Sequence, residues 1–336
     1  MERWSVSATL APRAPNFELV RASSSKRSFN PKGSRGGSSS SVGVVGRRNS
    51  ASRVVSSTGF GGVRASASGR RFGPRIWAMG TSTQIKDGVE LKVFESVQDL
   101  GDDLADYVAA LSKCAVEARA AFSIVLSGGS LISTMGKLTE EPYLGSIDWA
   151  RWHVFWADER VVPLDHPDSN YKLALDGLLS KVPIPPGNVY AINDKLSPQK
   201  AAEDYELGLK QLVKKNVLRL DEAGEYPRFD LILLGMGPDG HLASLFPHHP
   251  LVSKTDTWVA SIEDSPKPPP ERITLTLPAI NAAENVAFVA TGSGKADKLK
   301  LVFGGDLPFG EVPAKLVSPV SGKLVWFADK PAVAKL

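Results

Sequence analysis

The segment Gly235–His241 places a carboxylate and an imidazole two residues apart, in a turn built from glycine and proline. It reads Gly-Met-Gly-Pro-Asp-Gly-His and follows the apolar run Phe229–Leu234. A histidine titrates near neutrality and is the commonest general base in enzymes, and a neighbouring carboxylate fixes the orientation of its ring. We therefore predict that His241 accepts a proton and that Asp239 orients it. A structural histidine held in a rigid turn is the alternative interpretation.

Three basic residues are candidates to bind an anion. Arg160 ends a charged triplet that follows the apolar run Trp152–Trp156, and its planar guanidinium suits an oxyanion. Lys295 stands at the glycine-rich start of a predicted helix, a position that favours phosphate binding. Arg272 opens a predicted strand. A solvated rim for the triplet and a structural role for Arg272 are the alternatives.

A second glycine-rich turn joins the apolar run Phe122–Leu126 to a short predicted helix. Glycines let the backbone approach a ligand closely, and the free N–H groups at a helix start attract anions. We therefore predict that Gly128, Gly129 and Ser130 contribute to an anion site. The segment lacks the lysine of a nucleotide-binding P-loop, and a simple tight turn explains it equally well.

Several chemistries are disfavoured by what the sequence lacks. It contains no Gly-x-Ser-x-Gly motif, which argues against a serine hydrolase with a nucleophile elbow. Its one cysteine, Cys114, excludes an intramolecular disulfide or a multi-cysteine metal site, and the helical pattern around it predicts core packing. The five histidines include no pair at helical ligand spacing. We therefore expect no metal site.

The stretches that must position these groups alternate between strand and helix signals. Short apolar runs followed by amphipathic stretches predict a mostly parallel sheet covered on both faces. Ligands bind at the carboxyl ends of the strands in such sheets, and the candidate clusters all follow a predicted strand. We predict one doubly wound α/β domain over residues 80–336, with a single sheet. The predicted strands are Val89–Phe94, Phe122–Leu126, Trp152–Trp156, Phe229–Leu234, Val259–Ile262, Ile273–Leu277, Val286–Thr291 and Leu324–Ala328. The predicted helices extend from the cap residue Ser96 to about Ala118, from Asn170 to Ser180, from Pro198 to Leu218 and from Lys295 to Phe303.

Charge is divided unevenly along the chain. The first 80 residues hold 14 basic and two acidic residues, a formal charge of +12, against −8 for the other 256. The acidic body argues against nucleic-acid binding. No apolar run reaches the ~20 residues of a membrane-spanning helix, so no membrane partner is expected.

The first 80 residues, called the leader below, are rich in Arg, Ser and Gly and have no sustained apolar period, which predicts disorder. An Arg-rich, Ser-rich and acid-poor composition is typical of an organelle transit peptide. We therefore predict that residues 1–79 are a plastid transit peptide that engages the import machinery. A permanent disordered arm that contacts RNA is the alternative.

Taken together, the motifs resemble the 6-phosphogluconolactonase family over roughly Val89–Ala328. Arg272 and Lys295 match the family in order, and Leu242 is a departure, since many members carry threonine there. The Asp-Gly-His segment is also similar to glucosamine-6-phosphate deaminase, a relative with the same fold. The segments that carry the resemblance are Leu126–Ser130, Trp156–Arg160, Asp168–Tyr171 and Gly235–Pro247.

The resemblance implies a hydrolase that opens 6-phospho-D-glucono-1,5-lactone in the oxidative pentose phosphate pathway, without metal or nucleotide cofactor. With the leader, it implies the chloroplast stroma. His241 and Asp239 then activate water and Arg160 stabilises the oxyanion. The phosphate and sugar are held by Gly128, Gly129, Ser130, Arg272, Lys295, Asp158 and Asn170. Two alternatives stay open: a sugar-phosphate isomerase or deaminase that uses Asp158 as a carbon base, and a non-catalytic sugar-phosphate sensor.

Overall fold

The structure is a computed structural model that describes residues 82–86 and 89–336. The predicted transit peptide, residues 1–79, lies outside the described residues. In chain order the strands are β1 (Ser82–Lys86), β2 (Val89–Phe94), β3 (Phe122–Leu126), β4 (Trp152–Trp156), β5 (Asp158–Arg160), β6 (Arg219–Leu220), β7 (Pro227–Arg228), β8 (Leu231–Gly235), β9 (Val259–Ile262), β10 (Arg272–Leu275), β11 (Asn285–Ala290) and β12 (Lys323–Asp329). The helices are α1 (Val97–Arg119), α2 (Ser130–Thr134), α3 (Tyr143–Ser146), α4 (Asn170–Gly177), α5 (Pro198–Lys214), α6 (Leu277–Asn281) and α7 (Ala296–Val302).

Seven strands form the main sheet, in the order β1-β2-β12-β11-β8-β3-β4. Only β1 runs antiparallel to its neighbour; every other pair in this sheet is parallel. The carboxyl ends of β3, β8 and β11 therefore lie side by side in the middle of the sheet. The mostly parallel α/β fold predicted from the alternating signals is confirmed.

Both faces of the main sheet are covered, because side chains along its central strands alternate between two cores. Leu231 and Leu233 on β8 pack with α1, α2, α3 and α4, whereas Ile232 and Leu234 pack with α5, α6 and α7. All four of these side chains are buried. This double burial explains why the central strands are almost entirely apolar in sequence.

Helix α1 begins where predicted, since the Ser96 side chain accepts a hydrogen bond from the Asp99 amide at 3.1 Å. The prediction that Cys114 packs in the core is wrong, because its side chain is exposed. The buried face of α1 instead reaches Ser112, whose Oγ accepts a hydrogen bond from Trp152 Nε1 at 2.8 Å. Two residues in a helix differ by about 200° around its axis, so Cys114 points away from that face.

The prediction of a single sheet is wrong for two of the predicted strands, β9 and β10. β5, β10 and β9 form a separate antiparallel sheet in the order β5-β10-β9, and a further two-stranded sheet pairs β6 with β7. One residue, Ala157, separates β4 in the main sheet from β5 in the second. Apolar patterning does not record this change of sheet, because it reports burial and not the pairing partner.

Several predicted element boundaries also differ from the structure. Helix α5 ends at Lys214, four residues before the predicted end at Leu218. The helix predicted from Lys295 starts as a 3₁₀ turn over Ser293–Lys295 and becomes α7 at Ala296. Among the described residues, no helix is both long enough and apolar enough to cross a membrane.

Candidate active site

One cleft lies at the carboxyl ends of β3, β8 and β11, and β5 and β10 of the second sheet close its side. The structure brings nine of the ten predicted site residues to its walls: Gly128, Gly129, Ser130, Asp158, Arg160, Asn170, His241, Arg272 and Lys295. The tenth, Asp239, stands behind His241 and touches its ring. This placement follows the rule for parallel sheets, in which ligands bind beyond the carboxyl ends of the strands.

The His241 ring is held by the turn that follows β8. His241 Nδ1 lies 2.5 Å from Asp239 Oδ1, and the Gly237 amide donates to the His241 carbonyl at 2.8 Å. A Cβ on Gly237 would lie 2.0 Å from His241 Nδ1, so this position requires glycine. With Nδ1 directed at the carboxylate, Nε2 is the ring nitrogen left to work on a substrate.

Burial and charge set the protonation of this pair. Burial lowers the pKa of His241 and outweighs the hydrogen bond and charge of Asp239, which raise it. Burial alone raises the pKa of Asp239, but the hydrogen bonds and charges of His241 and Lys267 outweigh it and lower that pKa to about 2. At neutral pH the pair is therefore a carboxylate beside a neutral imidazole, the form that accepts a proton.

Lys267 is a residue of the site that the sequence analysis missed. Its Nζ lies 3.1 Å from His241 Nδ1 and 3.1 Å from Asp239 Oδ2. Lys267 belongs to the proline-rich loop Pro266–Pro270. Nothing in a proline run indicates which distant residue it approaches, so the contact was not predictable.

The two arginines of the cleft come together through strand register. In the pairing of β5 with β10, Arg160 stands opposite Arg272. Arg160 donates from Nη1 to the Asp168 carbonyl at 2.5 Å, while its buried Nε has no hydrogen-bond partner among the described residues. Arg160 lines the cleft, and its guanidinium is a suitable donor for an oxygen that develops negative charge.

The Arg272 guanidinium makes several hydrogen bonds to backbone carbonyls, which the sequence did not indicate. Its Nε donates to the Pro269 carbonyl at 2.9 Å, and its Nη2 donates to the carbonyls of Lys267 and Pro268 at 2.9 and 3.0 Å. Burial lowers the pKa of Arg272, and the nearby charge of Arg160 adds to this effect. The remaining nitrogen, Nη1, has only a long contact of 3.4 Å to Ser244 Oγ.

A buried polar chain lies beneath the floor of the cleft. Asp158 accepts hydrogen bonds from Ser244 Oγ at 2.8 Å and, through its carbonyl, from Asn170 Nδ2 at 2.9 Å. The Asn170 Oδ1 atom is buried without a partner among the described residues. A Cβ on Gly128 would lie 2.0 Å from that atom, so glycine is needed there to admit the amide.

Glu159, between Asp158 and Arg160, points away from the cleft and holds the start of α4. Its carboxylate accepts from the amides of Arg160, Asn170 and Tyr171, each at 2.7 Å. Burial raises the pKa of Glu159 to about 7, although these backbone bonds oppose the shift. Glu159 thereby fixes the chain on both sides of the cleft wall without facing a substrate.

The far end of the cleft is shaped to hold an anion. Gly129 has φ +75°, a conformation that glycine adopts without strain, and α2 begins at the next residue. The first N–H groups of a helix have no partner within it. Lys295 completes this end, and burial lowers its pKa. In the described part of the chain, no group of three or more His, Cys, Asp or Glu side chains is arranged to hold a metal ion.

The fold is that of an α/β enzyme, and the cleft is lined by basic residues and a histidine. Residues 95–326 match the family described as glucosamine-6-phosphate isomerases/6-phosphogluconolactonase. The chain belongs to this family.

Individual relatives agree with this assignment. The chain is 56% identical over 248 residues, 74% of its length and 76% of the relative's, to "Probable 6-phosphogluconolactonase 4, chloroplastic" of Oryza sativa subsp. indica. It is 53% identical over 285 residues, 84% and 85% of the two chains, to "6-phosphogluconolactonase 3, chloroplastic" of Arabidopsis thaliana. The structure of 6-phosphogluconolactonase from Thermotoga maritima superposes with a TM-score of 0.61 at 30% identity, over 72% of this chain and all of that one.

Proposed function

We propose that this chain hydrolyses 6-phospho-D-glucono-1,5-lactone to 6-phosphogluconate in the oxidative pentose phosphate pathway. The observation that carries the proposal is His241 paired with Asp239, in a cleft whose walls hold Arg160, Arg272 and Lys295. A base and three cations in one cleft match a substrate that carries both an ester and a phosphate. Relatives that align with this chain over most of their length are named 6-phosphogluconolactonase, which supports the choice of substrate.

In the proposed reaction, His241 Nε2 takes a proton from a water that attacks the C1 carbonyl carbon. The water oxygen forms a bond to C1, and the carbonyl oxygen gains negative charge that the Arg160 guanidinium stabilises. The C1–O5 bond then breaks, and His241 returns its proton to the departing ring oxygen. Asp239 keeps the ring oriented throughout. General base catalysis contributes about 10²–10⁴-fold, and one oxyanion donor about 3–4 kcal/mol.

Phosphate binding places the lactone for this attack. We assign the phosphate to Lys295, to the N–H groups near Gly129 and Ser130, and to Arg272 through Nη1, the nitrogen not engaged with the proline-rich loop. Asn170, which lines the same cleft, is assigned to the sugar. Binding energy from the remote phosphate then serves to orient the reacting ester.

An isomerase or deaminase acting on glucosamine 6-phosphate is the second candidate, favoured by the family match and by Asp158 in the cleft wall. Such a reaction uses a carboxylate as carbon base. Here Asp158 accepts from Ser244 Oγ and lies near Asn170 Nδ2, which leaves it engaged as a structural acceptor. We therefore rank this reaction below lactone hydrolysis.

The test uses the purified chain and freshly made lactone, with proton release followed against the spontaneous rate. We expect hydrolysis well above that rate and no ammonia release from glucosamine 6-phosphate. Ammonia release without faster lactone loss would replace the proposal with the deaminase. Binding of 6-phosphogluconate without acceleration of either reaction would identify a sensor.

We also propose that residues 1–79 are a transit peptide, that residues 80–336 are the catalytic domain, and that the mature protein acts in the chloroplast stroma. The +12 charge and acid-poor composition of the leader support this, as do relatives named chloroplastic. Residues 1–79 fused to a fluorescent protein are expected to carry it into the stroma of plant cells. A fusion protein that stays in the cytosol would contradict the proposal.

A further inference from the structure

Lys267 contacts both members of the Asp239–His241 pair, and the mechanism above does not use it. The carboxylate of Asp239 divides its oxygens, with Oδ1 on the imidazole and Oδ2 on the ammonium, 3.1 Å from Nζ. The same Nζ lies 3.1 Å from His241 Nδ1. Lys267, Asp239 and His241 therefore form a closed triangle in which each group touches the other two.

The loop that carries Lys267 is fastened to the second sheet. Arg272 on β10 donates three hydrogen bonds to the carbonyls of residues 267–269. Ser265 Oγ donates to the Lys267 carbonyl at 2.9 Å and accepts from its amide at 3.3 Å. The Asp239–His241 turn belongs to the main sheet, after β8. Lys267 is thus a rigidly mounted cation that joins the two sheets at the proposed base.

We propose that Lys267 is a positioning residue for the reaction, one that balances the charge of Asp239 and keeps the imidazole of His241 unprotonated and aligned. The assignment rests on the proposed function for its catalytic meaning, while the contact itself is a feature of the free protein. Lys267 is 37% exposed in its side chain and is not among the residues that line the cleft. It acts on the base and not on the substrate.

The charges around His241 support this division of roles. Asp239 from its own turn and Asp158 from β5 both favour the imidazolium form, and Lys267 opposes them. Arg160, Arg272 and Lys295 complete the charged groups of the cleft walls. Removal of Lys267 takes a cation from beside the ring and leaves Asp239 uncompensated. Both changes raise the pKa of His241.

The experiment compares Lys267→Met with the wild type by NMR titration of the His241 imidazole, without substrate, and by the pH dependence of kcat/KM. We expect the titration midpoint and the acid limb to move upward together by about one pH unit, a typical effect of one close charge. The loss of kcat/KM then approaches about tenfold well below both midpoints and disappears above them. Lys267→Arg keeps the positive charge and should therefore return both midpoints close to their wild-type values.

Lys254→Met is the matched control, since Lys254 is 33% exposed, pairs with Asp256 at 2.8 Å and does not line the cleft. It should leave both curves in place. An unshifted His241 titration in Lys267→Met would overturn the proposal whatever the activity. A tenfold rise in KM with an unmoved acid limb would overturn it too and make Lys267 a phosphate ligand. Failure of the lactone assay, by contrast, would overturn the proposed function alone.

Discussion

Gly237 illustrates how closely single residues are specified around the proposed base. Its missing side chain leaves the space that the His241 ring and the Asp239 carboxylate occupy, at 2.0 and 2.5 Å from where a Cβ would stand. The sequence predicted a tight turn here from its glycines and proline. That one glycine serves the packing of the imidazole, and not the turn alone, depends on side-chain positions that only the structure provides.

Replacement of Gly237 by alanine should therefore displace the imidazole. A misplacement of about 1 Å costs on the order of 10²-fold in rate, so we expect a loss of that size in kcat for lactone hydrolysis. Gly187→Ala is the control, because nothing lies within 4 Å of a Cβ built there. Steady-state kinetics of the two variants, with circular dichroism to check folding, make the comparison. Equal kcat values would show that the ring tolerates the added methyl group.

The buried imidazole also predicts the pH dependence of the wild type. Burial lowers the pKa of His241 below its usual value of 6.5. The base accepts a proton only when neutral, so activity is retained above this pKa and lost as pH falls through it. We expect the acid limb of kcat/KM to have its midpoint below pH 6.5. A midpoint above 7 would mean that Asp239 outweighs burial, contrary to this account.

At the scale of elements, the register of β5 against β10 organises the cleft. It places Arg160 opposite Arg272, and the adjoining Glu159 fixes the start of α4 from the same strand. Apolar periodicity predicted the parallel sheet and the positions of the clusters at strand ends. It did not predict the second sheet, because β5 has three residues and its antiparallel partner lies more than a hundred residues away.

Glu159 should contribute to stability more than to catalysis. In Glu159→Gln one oxygen becomes an NH₂ group that faces backbone N–H donors, and at least one buried donor loses its partner. The free energy of unfolding should fall by about 1–3 kcal/mol. Glu203→Gln on an exposed face of α5 is the control. Denaturant unfolding of both variants measures the difference, and equal midpoints would contradict the assigned role of the carboxylate.

The whole molecule combines an acidic body with a strongly basic N-terminal segment, residues 1–80, and the described lining residues of the cleft all belong to the body. The main sheet is complete from Ser82 onward, and the lining residues lie between Ser127 and Lys295. Composition alone distinguished the two parts, because charge and serine content need no structure to be counted. Composition could not predict that two sheets meet at one cleft, because that arrangement depends on contacts between distant segments.

A chain that starts at Met79 should therefore fold and keep the kcat/KM of the full-length protein. Its thermal unfolding midpoint should also be unchanged, because the described contacts of the cleft involve no residue before this point. Side-by-side assay and calorimetry of the two chains provide the measurement. A large loss of activity in the shorter chain would show that residues 1–78 contribute to folding or catalysis.

The most direct test of the central claim, that His241 is the base, is lactone hydrolysis by His241→Asn compared with His249→Asn. His249 is also a histidine paired with a carboxylate, Asp264 at 3.1 Å, but it does not line the cleft. We expect His241→Asn to lower kcat/KM by about 10²–10⁴-fold and His249→Asn to leave it unchanged. A loss below about tenfold in His241→Asn, in a folded variant, would contradict that claim.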